Sequence, residues 1–334
     1  MPRVFASSAR PTSPRRARTA GGGYGETAEP SWREIDWAAQ LRRGSFAGAE
    51  LNYVDLAPTD PSAAERSPVV FVHGLGGQWQ NWLENLRRVA LERRVVALDL
   101  PGFGLSPLPR ERITIPGYAR VVEAFCDGLG LDSVVLVGNS MGGFIGAELT
   151  IQFPARVERL GLVSAAGITT ANMYRAPIIT LSRAATALTV YTAARHRQIA
   201  ARRVSRHAAL ALVARHPSLL APDLAWEALI KGAGKPGFDA ALRACIEYDF
   251  RDRLPEIGCP TLIVWGENDA VLPAADAHQF ERLIPDSRKL LMRDTGHVPQ
   301  IERPRAFNDA LMEFLSESGP AEDQAPAPGV SQVA

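Results

Sequence analysis

The sequence has few cysteines, no long apolar run and almost no net charge. Its three cysteines, Cys126, Cys245 and Cys259, are far apart and form no Cys-x-x-Cys pair. This spacing argues against a disulfide framework or a zinc site and favours a reducing compartment, so the expected location is the cytoplasm. No apolar run reaches the roughly 18 residues of a membrane-spanning helix. Thirty-seven lysines and arginines balance 36 aspartates and glutamates, so no global field indicates nucleic acid or acidic partners.

Both ends of the chain have the composition of disordered segments. Residues 1–30 are rich in Arg, Ser, Pro and Gly, and no apolar stretch follows the Arg15-Arg16 pair, as a twin-arginine signal would require. Residues 318–334 are rich in Pro and Ala. We expect both segments to be disordered tails, the first of them basic, without catalytic residues.

Short apolar runs recur along the chain, and each is ended by a turn and followed by a helix-like stretch. Such runs are typical of parallel strands buried on both faces. Their alternation with helical stretches such as 116–129 and 304–317 predicts repeated β-α-β units and an α/β fold. An earlier run, GAELNYVDLAP, alternates enough to be one arm of an antiparallel pair. The predicted strands are 69–74, 94–99, 133–138, 159–164, 261–266 and 289–294.

A helical insertion at residues 167–255 interrupts the strand pattern and divides the α/β core into 31–166 and 256–317. From Gly167 to Pro222 the chain has eight arginines and no Asp or Glu. One interpretation is a solvated helical face whose arginine stems lie on apolar surface. The other is a cationic surface that attracts acidic substrates or makes weak peripheral contact with an anionic membrane.

The stretch LVGNSMGG, residues 136–143, places Ser140 between Gly138 and Gly142 at the end of a predicted strand. A sharp turn from strand to helix would give the serine strained dihedrals, and glycines would let the neighbouring backbone approach. This arrangement exposes a nucleophilic hydroxyl at a helix N-terminus, where free N–H groups suit an oxyanion. The other interpretation is an ordinary glycine turn.

A serine nucleophile needs a base and an acid to orient that base. His297, in the loop after the last predicted strand, is the better base candidate, and Asp269 is the preferred acid, with Glu267 as the fallback. An aspartate here could also be the cap of the next helix. The order Ser140, Asp269, His297 is that of the α/β-hydrolases. We expect surface or structural roles for the other histidines, His73, His196, His207, His216 and His278.

Two backbone N–H groups are the candidates for stabilising an oxyanion. One is that of Met141, directly after the serine, and the other is that of Leu75 in the loop HGLGG, residues 73–77. His73 is expected to pack against the sheet rather than to react.

At these residues the sequence resembles the α/β-hydrolase superfamily, and the resemblance covers about residues 40–317. The motifs that carry it are HGLGG, LDLPGFGLS, GNSMGG, WGENDAVLP and GHVPQIERP, in the family's order. The resemblance implies a mostly parallel, eight-stranded sheet flanked by helices, with the insertion as a lid over the active site. It also implies that Asp99 and Ser106 belong to a structural turn.

The resemblance excludes some branches of the family. Haloalkane dehalogenases and epoxide hydrolases of this fold use an aspartate nucleophile, where this chain has Ser140. Meta-cleavage-product hydrolases, which split carbon–carbon bonds, usually have Gly-Pro-Gly in the oxyanion loop and a tryptophan soon after the catalytic histidine. Here Leu75-Gly76-Gly77 stands in the loop, and Val298 and Ile301 follow the histidine. These differences favour an ester substrate.

We therefore expect a serine hydrolase, esterase or lipase-like, that needs no metal or organic cofactor. The apolar residues of the insertion indicate a small hydrophobic ester or acyl substrate, although packing onto the core explains them equally: Ile178, Ile179, Leu181, Leu188 and Val190. A carbon–carbon hydrolase of a vinylogous diketone is the alternative enzyme. The alternative outside the enzymes is a ligand-binding protein of the same fold with little turnover. The sequence carries no feature that predicts an oligomeric state.

Overall fold

A nine-stranded sheet forms the centre of the protein in the computed structural model. The structure describes residues 18–20, 23–171, 197–232 and 234–317. The strands are β1 (Arg18–Ala20), β2 (Leu41–Phe46), β3 (Ala49–Leu56), β4 (Val69–Val72), β5 (Val95–Leu98), β6 (Val134–Asn139), β7 (Val157–Val163), β8 (Thr261–Gly266) and β9 (Ser287–Met292).

The strand order is β1-β9-β8-β7-β6-β4-β5-β3-β2. All pairings are parallel except β2 with β3 and β3 with β5. Strands β2 to β9 are the mostly parallel, eight-stranded sheet expected from the sequence, so the predicted fold class is confirmed. The short β1 adds a ninth strand, parallel to β9 at the edge. The order in which strands are added to the sheet reverses at β4, because β5 lies on one side of it and β6 on the other. Ligand sites of open α/β sheets lie at such points.

Helices cover both faces of the sheet. Those in the described residues are α1 (Trp37–Gln40), α2 (Leu83–Ala90), α3 (Ile115–Gly128), α4 (Met141–Gln152), α5 (Arg197–Ala201), α6 (Arg203–Leu210), α7 (Pro222–Leu224), α8 (Phe238–Glu247), α9 (Ala275–Leu283), α10 (Pro299–Glu302) and α11 (Pro304–Ser316). A π-helical turn, Ala225–Ile230, continues α7. Within the described ranges, no helix has both the length and the apolar character that crossing a bilayer requires.

The side chains of each strand alternate between two hydrophobic cores, one on each face. In β4, Val70 and Val72 face the core that contains α3 and α4, whereas Val69 and Phe71 face the core that contains α2 and α11. All four side chains are 0% exposed, which is why the strand reads as an unbroken apolar run. Burial of each contributes roughly 1.5–3 kcal/mol, so the strands form a firm base for the loops at their ends.

The insertion between β7 and β8 is helical in the part that the structure describes. Residues 172–196, and with them the apolar residues from Ile178 to Val190, lie outside the described residues. Arg197, Arg202 and Arg203 are exposed, as both interpretations of the basic insertion expect. Arg206 fits neither of them: it is 2% exposed and donates to the carbonyls of Pro217 (3.0 Å) and Ser218 (3.0 Å) inside the insertion.

The predicted N-terminal tail needs a correction, because part of residues 1–30 belongs to the folded domain. Strand β1 pairs with β9, and the Gly25 N–H donates to Glu302 O (2.7 Å). The Ala28 N–H donates to the buried Glu84 Oε2 (2.7 Å). Composition predicts disorder here, but buried carboxylates need donors, and this segment supplies them.

Candidate active site

Ser140 occupies the turn from β6 into α4, with φ 55° and ψ −116°. A positive φ is uncommon for a residue with a side chain and marks local strain. The Ser140 N–H donates to Val163 O (2.9 Å), and Ser140 O accepts from the Ala166 N–H (3.0 Å). These bonds to β7 and the loop after it hold the serine at the carboxyl end of the parallel strands.

The glycines on either side of Ser140 allow backbone segments to come into contact. A Cβ at Gly138 would lie 2.2 Å from Gly142 O, and a Cβ at Gly142 would lie 2.2 Å from Val72 O. Both clashes involve main-chain atoms, which cannot move aside as a side chain could. The strained serine turn therefore requires glycine at both positions.

Gly142→Ala should destabilise the fold by about 3 kcal/mol, because the added methyl would push α4 away from β4. Urea unfolding at neutral pH measures the loss. Gly146→Ala on the same helix is the matched control, since its Cβ would meet only the side chains of Leu136 (3.2 Å) and Leu160 (3.3 Å). That variant also gains helix propensity, so its unfolding free energy should change by less than about 1 kcal/mol. Equal losses in the two variants would show that the close approach is unimportant.

His297 and Asp269 are brought together by the loops after β9 and β8. His297 Nδ1 lies 2.8 Å from Asp269 Oδ2, and the side chains are 8% and 0% exposed. The other carboxylate oxygen, Asp269 Oδ1, accepts from the N–H groups of Val271 (2.8 Å) and Leu272 (2.9 Å). These two donors fix the orientation of the carboxylate, so the histidine has an oriented partner. Glu267, the fallback acid, is exposed and is not the partner of the imidazole.

The serine turn is connected through Asn139, the residue before the serine, to the loop after β9 that carries His297, called the histidine loop below. The Asn139 side-chain amide donates to Val163 O (3.0 Å) and to His297 O (3.3 Å). In the described part of the chain, no hydrogen bond joins the Ser140 hydroxyl to the imidazole. The two residues are thus linked through Asn139 and not by a direct hydrogen bond.

The loop after β4 passes close to the serine. A Cβ at Gly74 would lie 3.1 Å from Ser140 Cβ, and the loop closes with a bond from the Gly77 N–H to Gly74 O (3.0 Å). Leu75 and Gly76 (φ 74°) are the two central residues of this turn. The Leu75 N–H takes no part in the bond that closes the turn. Met141 begins α4, and the first N–H groups of a helix have no partner within the helix.

His73 and the turn after β5 that begins at Asp99 pack against this loop and hydrogen-bond to its backbone. His73 is 0% exposed, its Nδ1 donates to Gly74 O (2.7 Å), and its Nε2 accepts from the Leu100 N–H (3.0 Å). Both ring nitrogens are thus used by the backbone. Asp99 accepts from the N–H groups of Trp79 (2.8 Å) and Leu105 (2.9 Å), and burial raises the pKa of its carboxyl. The Ser106 hydroxyl donates to Asp99 O (2.7 Å).

His73 should make the stability of the protein dependent on pH. Burial lowers the pKa of His73 from 6.5 to about 4, so the unfolded chain takes up this proton at higher pH than the folded protein does. The contribution of the neutral ring is complete above pH 6.5 and is lost as the pH falls to about 4. This group should lower the free energy of unfolding by about 3 kcal/mol across that window.

Urea unfolding at several pH values between these limits measures the effect. His73→Gln removes the titrating ring, so the curve of this variant should fall less steeply than that of the unmodified protein. His207→Gln, at an exposed position of α6, should keep the original slope. An unchanged slope in His73→Gln would mean that other groups cause the pH dependence.

The insertion contacts the loop after β4, the loop that carries His297, and helix α4. The Gln78 side-chain amide donates to Glu227 O (2.9 Å) beside the loop after β4. The His297 N–H donates to Val213 O (2.8 Å). On α4, the buried Glu148 accepts from Tyr248 Oη (2.8 Å). The insertion therefore lies against the edge of the sheet where Ser140, Asp269 and His297 are found.

Sequence reasoning missed three residues with contacts at this site: Asn139, which bonds to His297 O, Glu302, which accepts from the Gly296 N–H, and Tyr24, which donates to Glu302. Asn139 is inside the serine motif, but its role depends on a contact with the loop of His297, which the sequence does not show. Tyr24 lies in a segment whose composition predicts disorder. Glu302 had one signal in the sequence, because it is the acidic residue of the short stretch between His297 and Pro304.

Comparisons with known proteins identify similar chains across most of the sequence. A component of the acetoin cleaving system of Pseudomonas putida, a dihydrolipoyllysine-residue acetyltransferase, is 32% identical over 260 residues, or 75% of this chain and 63% of the relative's length. RutD of Escherichia coli O9:H4 (strain HS), provisionally named a carbamate hydrolase, is 28% identical over 262 residues, or 78% of this chain and 96% of its own. This chain thus spans under two thirds of the first relative's length.

A solved structure, that of a membrane phospholipase A described as a bacterial virulence factor, has a TM-score of 0.64 and 26% identity. The superposition covers 83% of this chain and 86% of the other. A family model described as the alpha/beta hydrolase fold matches residues 67–304, which include β4 to β9 and the loops of the site. The match extends over more than half of the sequence, and the chain belongs to the α/β-hydrolase family.

Proposed function

We propose that this protein is a serine hydrolase that cleaves a carboxylic ester through an acyl-enzyme on Ser140. The observation that carries the proposal is that two features lie at the same edge of the sheet. These are the strained Ser140 turn and the 2.8 Å bond between His297 Nδ1 and Asp269 Oδ2. A buried, oriented imidazole beside a strained serine is the arrangement that nucleophilic acyl transfer requires.

The contacts of Asp269 determine which histidine nitrogen can act as the base. Asp269 Oδ1 already accepts two backbone N–H groups, and its Oδ2 accepts the proton of His297 Nδ1. The lone pair is therefore on Nε2, which takes the hydroxyl proton as Ser140 Oγ attacks the ester carbonyl. Asp269 keeps this tautomer and stabilises the imidazolium that forms.

The negative charge of the tetrahedral intermediate develops on the former carbonyl oxygen. The N–H groups of Leu75 and Met141 donate to it, one from the turn after β4 and the other from the first residue of α4. Collapse of the intermediate breaks the ester C–O bond, and the alcohol leaves with the proton from Nε2. Nε2 then takes a proton from water, which attacks the acyl-enzyme, and the acid is released as Ser140 regains its proton.

The insertion acts as the lid of this site. It contacts the loop after β4, the histidine loop and α4, so it limits access to the sheet edge. A lid excludes water, and the apolar residues in the sequence of the insertion suit a small hydrophobic ester or acyl substrate. Two of the similar proteins carry the hydrolase names carbamate hydrolase and phospholipase A, which supports hydrolysis as the reaction class.

The test is hydrolysis of p-nitrophenyl esters from acetate to laurate, combined with labelling by a fluorophosphonate. We expect turnover of at least the shorter esters and a single covalent adduct that peptide mass spectrometry places on Ser140. Labelling without ester turnover would move attention to carbon–carbon substrates such as vinylogous diketones. Neither labelling nor turnover would overturn the proposal and favour a ligand-binding protein.

A further inference from the structure

Glu302 is a buried carboxylate in the histidine loop that the proposed mechanism does not use. It is 0% exposed and lies at the end of α10. Its Oε1 accepts from the N–H groups of Gly296 (2.9 Å) and Val298 (3.3 Å). Those two residues flank His297, so one side chain holds the backbone on both sides of the base.

The same carboxylate connects two distant segments of the chain to this loop. Glu302 Oε2 accepts from the Arg215 N–H (2.8 Å) in the insertion and from Tyr24 Oη (2.7 Å) in the N-terminal segment. Tyr24 Oη in turn accepts from the His216 N–H (2.8 Å). The Tyr24 hydroxyl is therefore a bridge between the carboxylate and the insertion.

Little space remains for the loop to move while these contacts persist. A Cβ at Gly296 would lie 2.8 Å from Arg215 N and 3.0 Å from Glu302 Oε1. Burial raises the pKa of Glu302, while the backbone and tyrosine donors oppose that change. Loss of a donor would leave a buried oxygen unpaired, or would free the loop to adjust, and either change reaches His297.

On the basis of the proposed function, we propose that Glu302 is a positioning residue for His297, with Tyr24 as its side-chain donor. The N-terminal segment thereby helps to set the activity of a site to which it contributes no reacting group. The base must keep Nδ1 at Asp269 and Nε2 toward Ser140 at the same time. A shift of about 1 Å in a catalytic group can cost on the order of 10²-fold in rate.

The N-terminal segment offers a matched control for this role. Glu84 on α2 is also a buried glutamate, 3% exposed, whose pKa is raised by burial. It accepts from the Ala28 N–H (2.7 Å) and from Trp32 Nε1 (2.9 Å), so it too anchors this segment. Among the described residues, the partners of its carboxylate are Ala28 and Trp32, neither of which belongs to the loop of His297. Tyr118, whose hydroxyl donates to Pro101 O (2.8 Å), is the corresponding tyrosine control.

The experiment compares Glu302→Gln and Tyr24→Phe with Glu84→Gln and Tyr118→Phe in the full-length chain. For p-nitrophenyl butyrate we expect kcat to fall roughly 10²-fold in Glu302→Gln and roughly tenfold in Tyr24→Phe, with KM changed less than about twofold. The two controls should keep kcat within about threefold of the unmodified protein, even if their unfolding midpoints fall as much as those of Glu302→Gln and Tyr24→Phe. If Glu302→Gln does not fold, the positioning role is tested by comparing kcat of Tyr24→Phe with that of Tyr118→Phe.

A second readout does not depend on turnover. The ¹H–¹⁵N correlation of the His297 imidazole, assigned by its loss in His297→Ala, should move or broaden in Glu302→Gln and Tyr24→Phe and stay in place in the controls. Variants that lose no more kcat than their controls and leave this signal unchanged would overturn the positioning role. If the unmodified protein hydrolyses no ester, the proposed function fails, and the imidazole signal alone decides this inference.

Discussion

Ser140→Ala is expected to lower kcat for p-nitrophenyl esters by roughly 10⁵-fold, the largest effect of any substitution considered for this protein. Alanine keeps the Cβ, so the strained turn, its bonds to Val163 and Ala166 and the packing of α4 remain as they are. Only the hydroxyl that is proposed to attack the ester is lost. The residual rate would come from the oxyanion donors and substrate binding without a nucleophile.

Ser106→Ala is the matched control for this measurement. Ser106 is also a buried serine near the sheet edge, 6% exposed, but its hydroxyl donates to Asp99 O and accepts from the Asn52 N–H. Its removal should cost about 1–3 kcal/mol of stability and leave kcat within about threefold. If Ser140→Ala retained the full rate while Ser106→Ala lost it, the nucleophile would have to be reassigned.

Asp269→Asn is expected to lower kcat by roughly 10⁴-fold without unfolding the protein. The amide has nearly the same shape, and its oxygen can still accept from the N–H groups of Val271 and Leu272. Its nitrogen then faces His297 Nδ1 and donates to it, which forces the ring proton onto Nε2. An Nε2–H cannot accept the serine proton, so the base is lost although every residue is in place.

Glu267→Gln is the control, because this second carboxylate follows the same strand, only two positions earlier. Its side chain is exposed, so kcat should change less than about twofold. Steady-state kinetics of the two variants at one pH, with circular dichroism to verify folding, decide between the carboxylates. A larger loss in Glu267→Gln than in Asp269→Asn would falsify the assignment of the acid.

The choice between these carboxylates shows where sequence reasoning reaches its limit. The motif WGENDAVLP offers two acids at the end of one strand, and both are plausible from spacing alone. The decision depends on the path of the loop, which turns Asp269 inward beneath two backbone N–H groups and leaves Glu267 in solvent. The pattern favoured Asp269, but only the folded loop supplies the reason.

The sequence by itself determined the features that arise from local patterns. Unbroken apolar runs predicted β4 and its parallel neighbours, because strands buried on both faces consist mainly of apolar residues. Glycines around Ser140 predicted the strained turn, because no other residue permits the backbone contact with Val72 O. Such constraints act between near neighbours in the chain, so composition and spacing reveal them.

Tertiary structure alone decided the features that join distant segments. Asn139 reaches His297 across 158 positions, and Tyr24 reaches Glu302 across 278 positions. A tyrosine in a stretch rich in glycine and arginine has no local partner, and composition therefore predicts disorder. Once the core has formed, the buried carboxylate of Glu302 needs a donor, and the bond it makes with Tyr24 orders the N-terminal segment. That requirement exists only in the folded protein, and no pattern along the chain records it.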